Sequence, residues 1–186
     1  MMITTEILRA GTGCTLARAI AWLPYMQQAC GIFAIDSAER LSMFLAQLGH
    51  ESLRLQYVRE IWGPLPVQLR YEGRKDLGNT QAGDGKRFMG RGLIQLTGRA
   101  NYARCRDGMR KYFPKAPDFE ASPELLEQMQ WAAMSAAWFW ADKGLNALAD
   151  AGQFETVTRR INGGLNGYDD RKLLWAVAKT AMGVSA

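Results

Sequence analysis

Asp36-Ser37-Ala38-Glu39-Arg40-Leu41-Ser42-Met43-Phe44-Leu45-Ala46-Gln47-Leu48-Gly49-His50-Glu51 is the stretch whose pattern decides the architecture. Leu41, Phe44, Leu45 and Leu48 recur at the three- and four-residue spacing of one helix face, and such a stripe asks for a helical core to receive it. Asp36 is the expected cap, with Glu39 three residues later in a variant of the capping box. The helix delivers His50 and Glu51 at its C-terminal end, where the macrodipole disfavours an anion and apolar neighbours desolvate it. Both effects are expected to raise the Glu51 pKa, which suits a proton donor.

A second carboxyl, Glu60, follows nine positions later between Tyr57 and Trp62. On one unbroken helix the pair would face opposite ways, about 13 Å apart along the axis. The chain must therefore turn between them if they are to act together. Two carboxyl groups, one protonated and one ionised, are what hydrolysis of a glycosidic bond commonly requires.

Working outward, Leu16, Ala19, Ile20, Leu23 and Met26 predict an earlier helix over 15–30, kinked or broken at Pro24 and ended by Gly31. Beyond Glu60, Gly63-Pro64-Leu65-Pro66 begins a loop, and 72–98 holds seven glycines. The glycines do not form a phosphate-cradling loop, since neither Gly-Lys-Ser/Thr nor a third spaced glycine follows. A long loop of this kind is usually functional. Within it, the alternation of Leu93-Ile94-Gln95-Leu96-Thr97 predicts a short extended piece with Gln95 and Thr97 on one side, suited to sugar hydroxyls or a positioned water. Ser122-Pro123 starts a helix running through Trp140 to Gly144. Phe154, Val157 and Ile161 mark a short one ended by Asn162-Gly163-Gly164, and a last helix from about Asp169 carries Leu173, Leu174, Val177 and Ala181. The expectation is one mainly α domain over 1–186, two lobes around a substrate cleft with a long Gly-rich loop.

Composition narrows the partners. With 23 Lys and Arg against 18 Asp and Glu, the net charge of +5 favours an anionic polymer. Nucleic acid is set aside because no basic helix face or RNA-binding aromatic signature is present. Cys14, Cys30 and Cys105 lack metal or redox spacing and read as thiols of a reducing compartment, and His50 is the only histidine, so no metal and no other cofactor is expected. No Gly-x-Ser-x-Gly elbow supports a serine nucleophile. Residues 1–13 do not read as a secretory signal, and no apolar run reaches the roughly eighteen residues of a membrane span, so membrane insertion is not expected.

Taken together, Ala46-Gln47-Leu48-Gly49-His50-Glu51-Ser52, the block Gly90-Arg91-Gly92-Leu93-Ile94-Gln95-Leu96-Thr97-Gly98-Arg99-Ala100-Asn101-Tyr102, and Ile161-Asn162-Gly163-Gly164 resemble glycoside hydrolase family 19, most closely its phage and prophage endolysins. The resemblance implies a lysozyme-like helical fold and hydrolysis of a β-1,4-linked amino-sugar polymer with inversion. It makes Glu51 the general acid, Glu60 the general base (with Glu72 the rival), and Thr97 a holder of the attacking water. His50, Gln95, Asn101, Tyr102 and Asn162 are expected at the substrate, with Arg171 a looser match. Gly-Leu-Ile-Gln replaces the common Gly-Pro-Ile-Gln, the disulfides of secreted chitinases have no counterpart, and the segment between the glutamates is short. These departures favour peptidoglycan over chitin. The implied protein is a monomeric endolysin cutting between N-acetylmuramic acid and N-acetylglucosamine, held in the host cytoplasm until a holin admits it to the wall. A chitinase, or a non-enzymatic wall- or membrane-active basic protein, are the alternatives.

Overall fold

The computed structural model describes residues 1–184. Among them ten α-helices follow in order: α1 (Thr5–Thr12), α2 (Leu16–Ile32), α3 (Ala38–Glu51), α4 (Pro66–Leu69), α5 (Asp84–Arg87), α6 (Arg99–Arg110), α7 (Met129–Asp142), α8 (Leu145–Asp150), α9 (Phe154–Asn162) and α10 (Tyr168–Ala181). The fold is mainly α. Among the described residues no β-sheet forms, and isolated bridges pair Arg59 with Arg91 and Arg91 with Leu96. The chain divides into two compact units, one of 1–56 with 139–186 and one of 57–138.

In the first unit α3 is the helix around which the others gather. Its stripe is fully buried at Leu41, Phe44, Leu45 and Leu48, and α10, α1 and α8 pack against it. The helix starts one residue later than expected, because Ser37 and not Asp36 occupies the cap and accepts from the Arg40 N–H at 3.2 Å. Helix α1 comes so close to α3 that a Cβ built on Gly49 would lie 2.6 Å from the Thr12 carbonyl oxygen. Gly49→Ala should therefore force α1 off α3, at a cost of about 1–3 kcal/mol or more. Urea unfolding would show it, and an unchanged midpoint would mean the helices can separate freely at this point.

Helix α2 is longer than expected. It runs through Pro24 and Gly31 to Ile32 without a break, because Pro24 lies on the exposed side, where the lost backbone hydrogen bond faces solvent.

The second unit holds the Gly-rich segment. The expected extended piece at 93–97 is instead a tight turn: Arg91 and Leu96 exchange backbone hydrogen bonds of 3.1 and 2.8 Å, and Gln95 has a left-handed φ of 55°. Leu93 and Ile94 are both buried, a demand that a two-faced strand could not meet. The helix expected from Ser122 is divided as well. A 3-10 turn at Pro123–Glu127 ends at Gln128, which is extended, before α7 begins.

Candidate active site

Glu51 closes α3, and the chain then turns sharply. Leu53, Arg54 and Leu55 take consecutive left-handed φ values of 48, 62 and 59°, a conformation that costs non-glycine residues roughly 1–2 kcal/mol each. The turn is held from inside. Ser52 Oγ donates to the Leu48 carbonyl at 2.6 Å and accepts from the Leu55 N–H at 2.9 Å, while the Arg54 N–H reaches the Gly49 carbonyl at 2.7 Å. Strain of this kind gathers at functional sites.

Behind Glu51 stands a polar network instead of the expected apolar wall. Arg171, fully buried on α10, donates through Nη2 to Glu51 Oε1 at 2.6 Å and through Nη1 to Gln47 Oε1 at 2.5 Å. Gln47 Nε2 in turn donates to Thr158 Oγ1 on α9 at 2.9 Å. Arg171 thus touches protein groups, Asn166 O included, and not the substrate as the sequence suggested. It holds the Glu51 carboxyl from behind. A guanidinium has no acceptor atom, so with Oε1 held by Arg171 a proton carried by Glu51 sits on Oε2.

Beside this network, His50 Nδ1 meets Asp170 Oδ2 at 2.7 Å, and Arg54 grips both oxygens of Asp170, through Nη1 at 3.0 Å and through Nη2. The Arg54 guanidinium, aided by His50 and opposed by burial, holds the Asp170 carboxyl down at about 2. An ionised Asp170 makes His50 Nδ1 the donor in that bond. His50 therefore braces the end of α3 against α10. Because its folded-state value lies below the ordinary 3.8, Asp170 contributes stability above pH 4 or so and loses it as the pH falls toward about 2. Asp170→Asn should be less stable than the parent at pH 7, with the gap closing through that window. Denaturant titrations across the range would reveal it, and a gap independent of pH would discard the ion-pair account.

Glu60, in the second unit, is set by donors on three sides. Gln68 Nε2 donates to Oε1 at 2.9 Å, the Tyr71 hydroxyl approaches Oε1 at 3.4 Å, and the Gly90 N–H donates to Oε2 at 3.1 Å. Burial first, and then the Glu60 charge, pushes the Tyr71 hydroxyl up, so it remains a donor. Gln68 is buried and uses its whole amide: besides Glu60 it donates to Ile61 O at 2.8 Å and accepts from the N–H groups of Gly63 and Leu65 at 3.0 and 2.7 Å. Glu72, the rival base, is otherwise engaged. Its oxygens accept from the Gly83 and Gly85 N–H groups at 2.7 and 2.8 Å, pinning the loop.

Gln95 and Glu60 flank the same glycine. A Cβ built on Gly90 would lie 2.8 Å from Gln95 Oε1 and 3.4 Å from Glu60 Oε2. Thr97 Oγ1 donates to Gln95 O at 2.9 Å, which leaves its lone pairs to accept from a water. Asn101 Nδ2 ties to Thr97 O at 2.7 Å. Tyr102 corrects the sequence reading. It is fully buried, its hydroxyl donates to Met89 O at 2.6 Å and accepts from Arg91, and it shapes the Gly-Arg-Gly block from beneath instead of meeting substrate. In the first unit, Asn162 Oδ1 is buried and has no hydrogen-bond partner among the described residues, an acceptor that a ligand N–H or O–H would satisfy.

Gln47, Thr158, Asp170, Arg54 and Gln68 were not among the residues expected here. Gln47 alone carried a signal, a polar group one helical turn before Glu51 on the same face.

No family profile matches the chain. A Haemophilus influenzae protein described as glycosyl hydrolase family 19 domain-containing is 34% identical over 161 residues, covering 72% of this chain and 76% of that protein. The chain belongs to glycoside hydrolase family 19. Rice chitinase 6 is 28% identical over 132 residues, 70% of this chain, which spans 45% of that enzyme's length. Chitinase C of Streptomyces griseus superposes with a TM-score of 0.76 over 98% of this chain and 93% of its own, at 18% identity, so it shares the lysozyme-like helical fold. This family 19 chain is accordingly a glycoside hydrolase of chitinase-like type.

Proposed function

We propose that the enzyme is a peptidoglycan hydrolase of lysozyme type, cutting the β-1,4 bond between N-acetylmuramic acid and N-acetylglucosamine with inversion. The observation that carries this reading is charge: a family 19 hydrolase with 23 basic and 18 acidic residues suits a wall polymer bearing peptide carboxylates better than uncharged chitin. Glu51 delivers its Oε2 proton to the leaving oxygen while Arg171 fixes the carboxyl plane. Glu60, acceptor to three donors, removes a proton from water, and Thr97 and Gln95 steer that water. Inversion needs the two carboxyl groups about 6.5–9.5 Å apart, room for one water. Asn162 Oδ1 accepts from an acetamido N–H or a hydroxyl. The enzyme acts as a monomer and, as an endolysin, reaches the wall through a membrane lesion made by another protein.

Chitin is the second reading, favoured by the names of the rice and Streptomyces relatives. Mass spectrometry of borohydride-reduced fragments from purified peptidoglycan separates the two. Reduced muramic acid at the new ends is expected. Reduced glucosamine there would make the enzyme a glucosaminidase, and anhydro-muramic ends would remove the water-activating role of Glu60. An intact wall with cleaved chitin oligomers would establish the chitinase.

A further inference from the structure

Segment 61–65 has no regular structure, yet three of its backbone groups close on one side chain. Gln68, 2% exposed, accepts at Oε1 from the Gly63 and Leu65 N–H groups at 3.0 and 2.7 Å, and donates through Nε2 to Ile61 O at 2.8 Å and to Glu60 Oε1 at 2.9 Å. A primary amide has two N–H donors and two acceptor lone pairs. All are used here, and the orientation of the amide is fixed by them. Turned over, its NH₂ would face two N–H groups and its carbonyl would face two oxygens, so that four satisfied contacts would become repulsive.

The consequence falls on Glu60. Gln68 can offer Oε1 only a donor, and the Gly90 N–H, 3.1 Å from Oε2, has nothing but a donor to offer. The Tyr71 hydroxyl stands farther off, 3.4 Å from Oε1. Among the described residues no Lys or Arg pairs with Glu60, so these neutral donors alone orient the carboxyl. Both of its oxygens meet donors, the setting of an ionised carboxylate that only accepts. Gln68 is the nearest of the three, and its direction is set by bonds of its own to segment 61–65. We infer that Gln68 is the positioning residue of the base, its locked amide aiming the Glu60 carboxylate at the water. The inference rests on Glu60 being the base, as proposed above, and applies to either glycan.

The test is a double-mutant cycle on the whole protein, with kcat and KM measured on soluble wall glycan or chitin oligomers, whichever the parent cleaves. Gln68→Met should lower kcat by about 10²-fold, the cost of a misplaced reacting group, and leave KM unchanged. In a Glu60→Ala background the same substitution should cost no more than about twofold, because groups that act as a unit are not additive. Gln68→Glu keeps an acceptor for the Gly63 and Leu65 N–H groups and so spares the loop. It sets a like charge against Glu60, and the acid limb of the kcat profile should move up by about one pH unit or more. Equal losses in the two backgrounds would make Gln68 a support of the fold and overturn the inference. So would an unmoved acid limb, or a folded Gln68→Met at the parent rate while Glu60→Ala is inactive. Glu60→Ala at the parent rate would remove the base itself, and the inference with it.

Discussion

Glu51→Gln should lower turnover by about 10²–10⁴-fold, the usual worth of a positioned proton donor, while leaving the fold intact. The amide oxygen can still accept from Arg171 Nη2, so the contact that now measures 2.6 Å has a neutral equivalent and the Gln47 and Thr158 links behind it are untouched. What disappears is the proton on the second oxygen. Initial rates on purified walls and on chitin oligomers, with circular dichroism to certify folding, check the expectation on either substrate. A variant that folds and retains the parent rate on whichever substrate the parent cleaves would mean that Glu51 does not protonate the leaving group.

Arg171→Met carries the second large effect, on stability as much as on rate. The guanidinium is fully buried and Glu51 is 17% exposed. Removing it leaves Glu51 Oε1 and the Gln47 carbonyl without their donor. Each buried acceptor left unsatisfied costs about 1–3 kcal/mol, so the two together imply a fall in Tm of roughly 4–24 °C for a chain of this size. Adding Glu51→Gln should recover little of the stability, because the amide oxygen is equally without a donor, and none of the activity. If Arg171→Met alone melts with the parent, the guanidinium is not what holds the acid.

The sequence made some of this legible and hid the rest for physical reasons. Helix α3 could be read because Leu41, Phe44, Leu45 and Leu48 share one face. The end of α9 and the start of α10 could be read from Asn162-Gly163-Gly164 and the residues that follow. Helix α6 escaped because its outer surface is charged: Arg99 pairs with Asp84 and Glu120, and Arg106 with Asp107 and Asp118. Only Tyr102, Cys105 and Met109 point inward, a spacing that could have betrayed it. Helices α1 and α8, at 8 and 6 residues, are too short for a decisive period. The turn at 93–97 escaped because two adjacent buried side chains imitate the edge of a strand. The partners of Glu51 and His50 lie 120 positions away, and no local pattern announces a contact at that distance.

That separation also orders events while the protein is being made. Helix α3 leaves the ribosome early, but Glu51 obtains Arg171, and His50 obtains Asp170, only after α10 has been translated. At ordinary elongation rates the interval is on the order of ten seconds. Throughout it the Glu51 carboxyl has no guanidinium to orient it. The contacts that fix the end of α3 are completed last, when α10 closes onto the start of the chain.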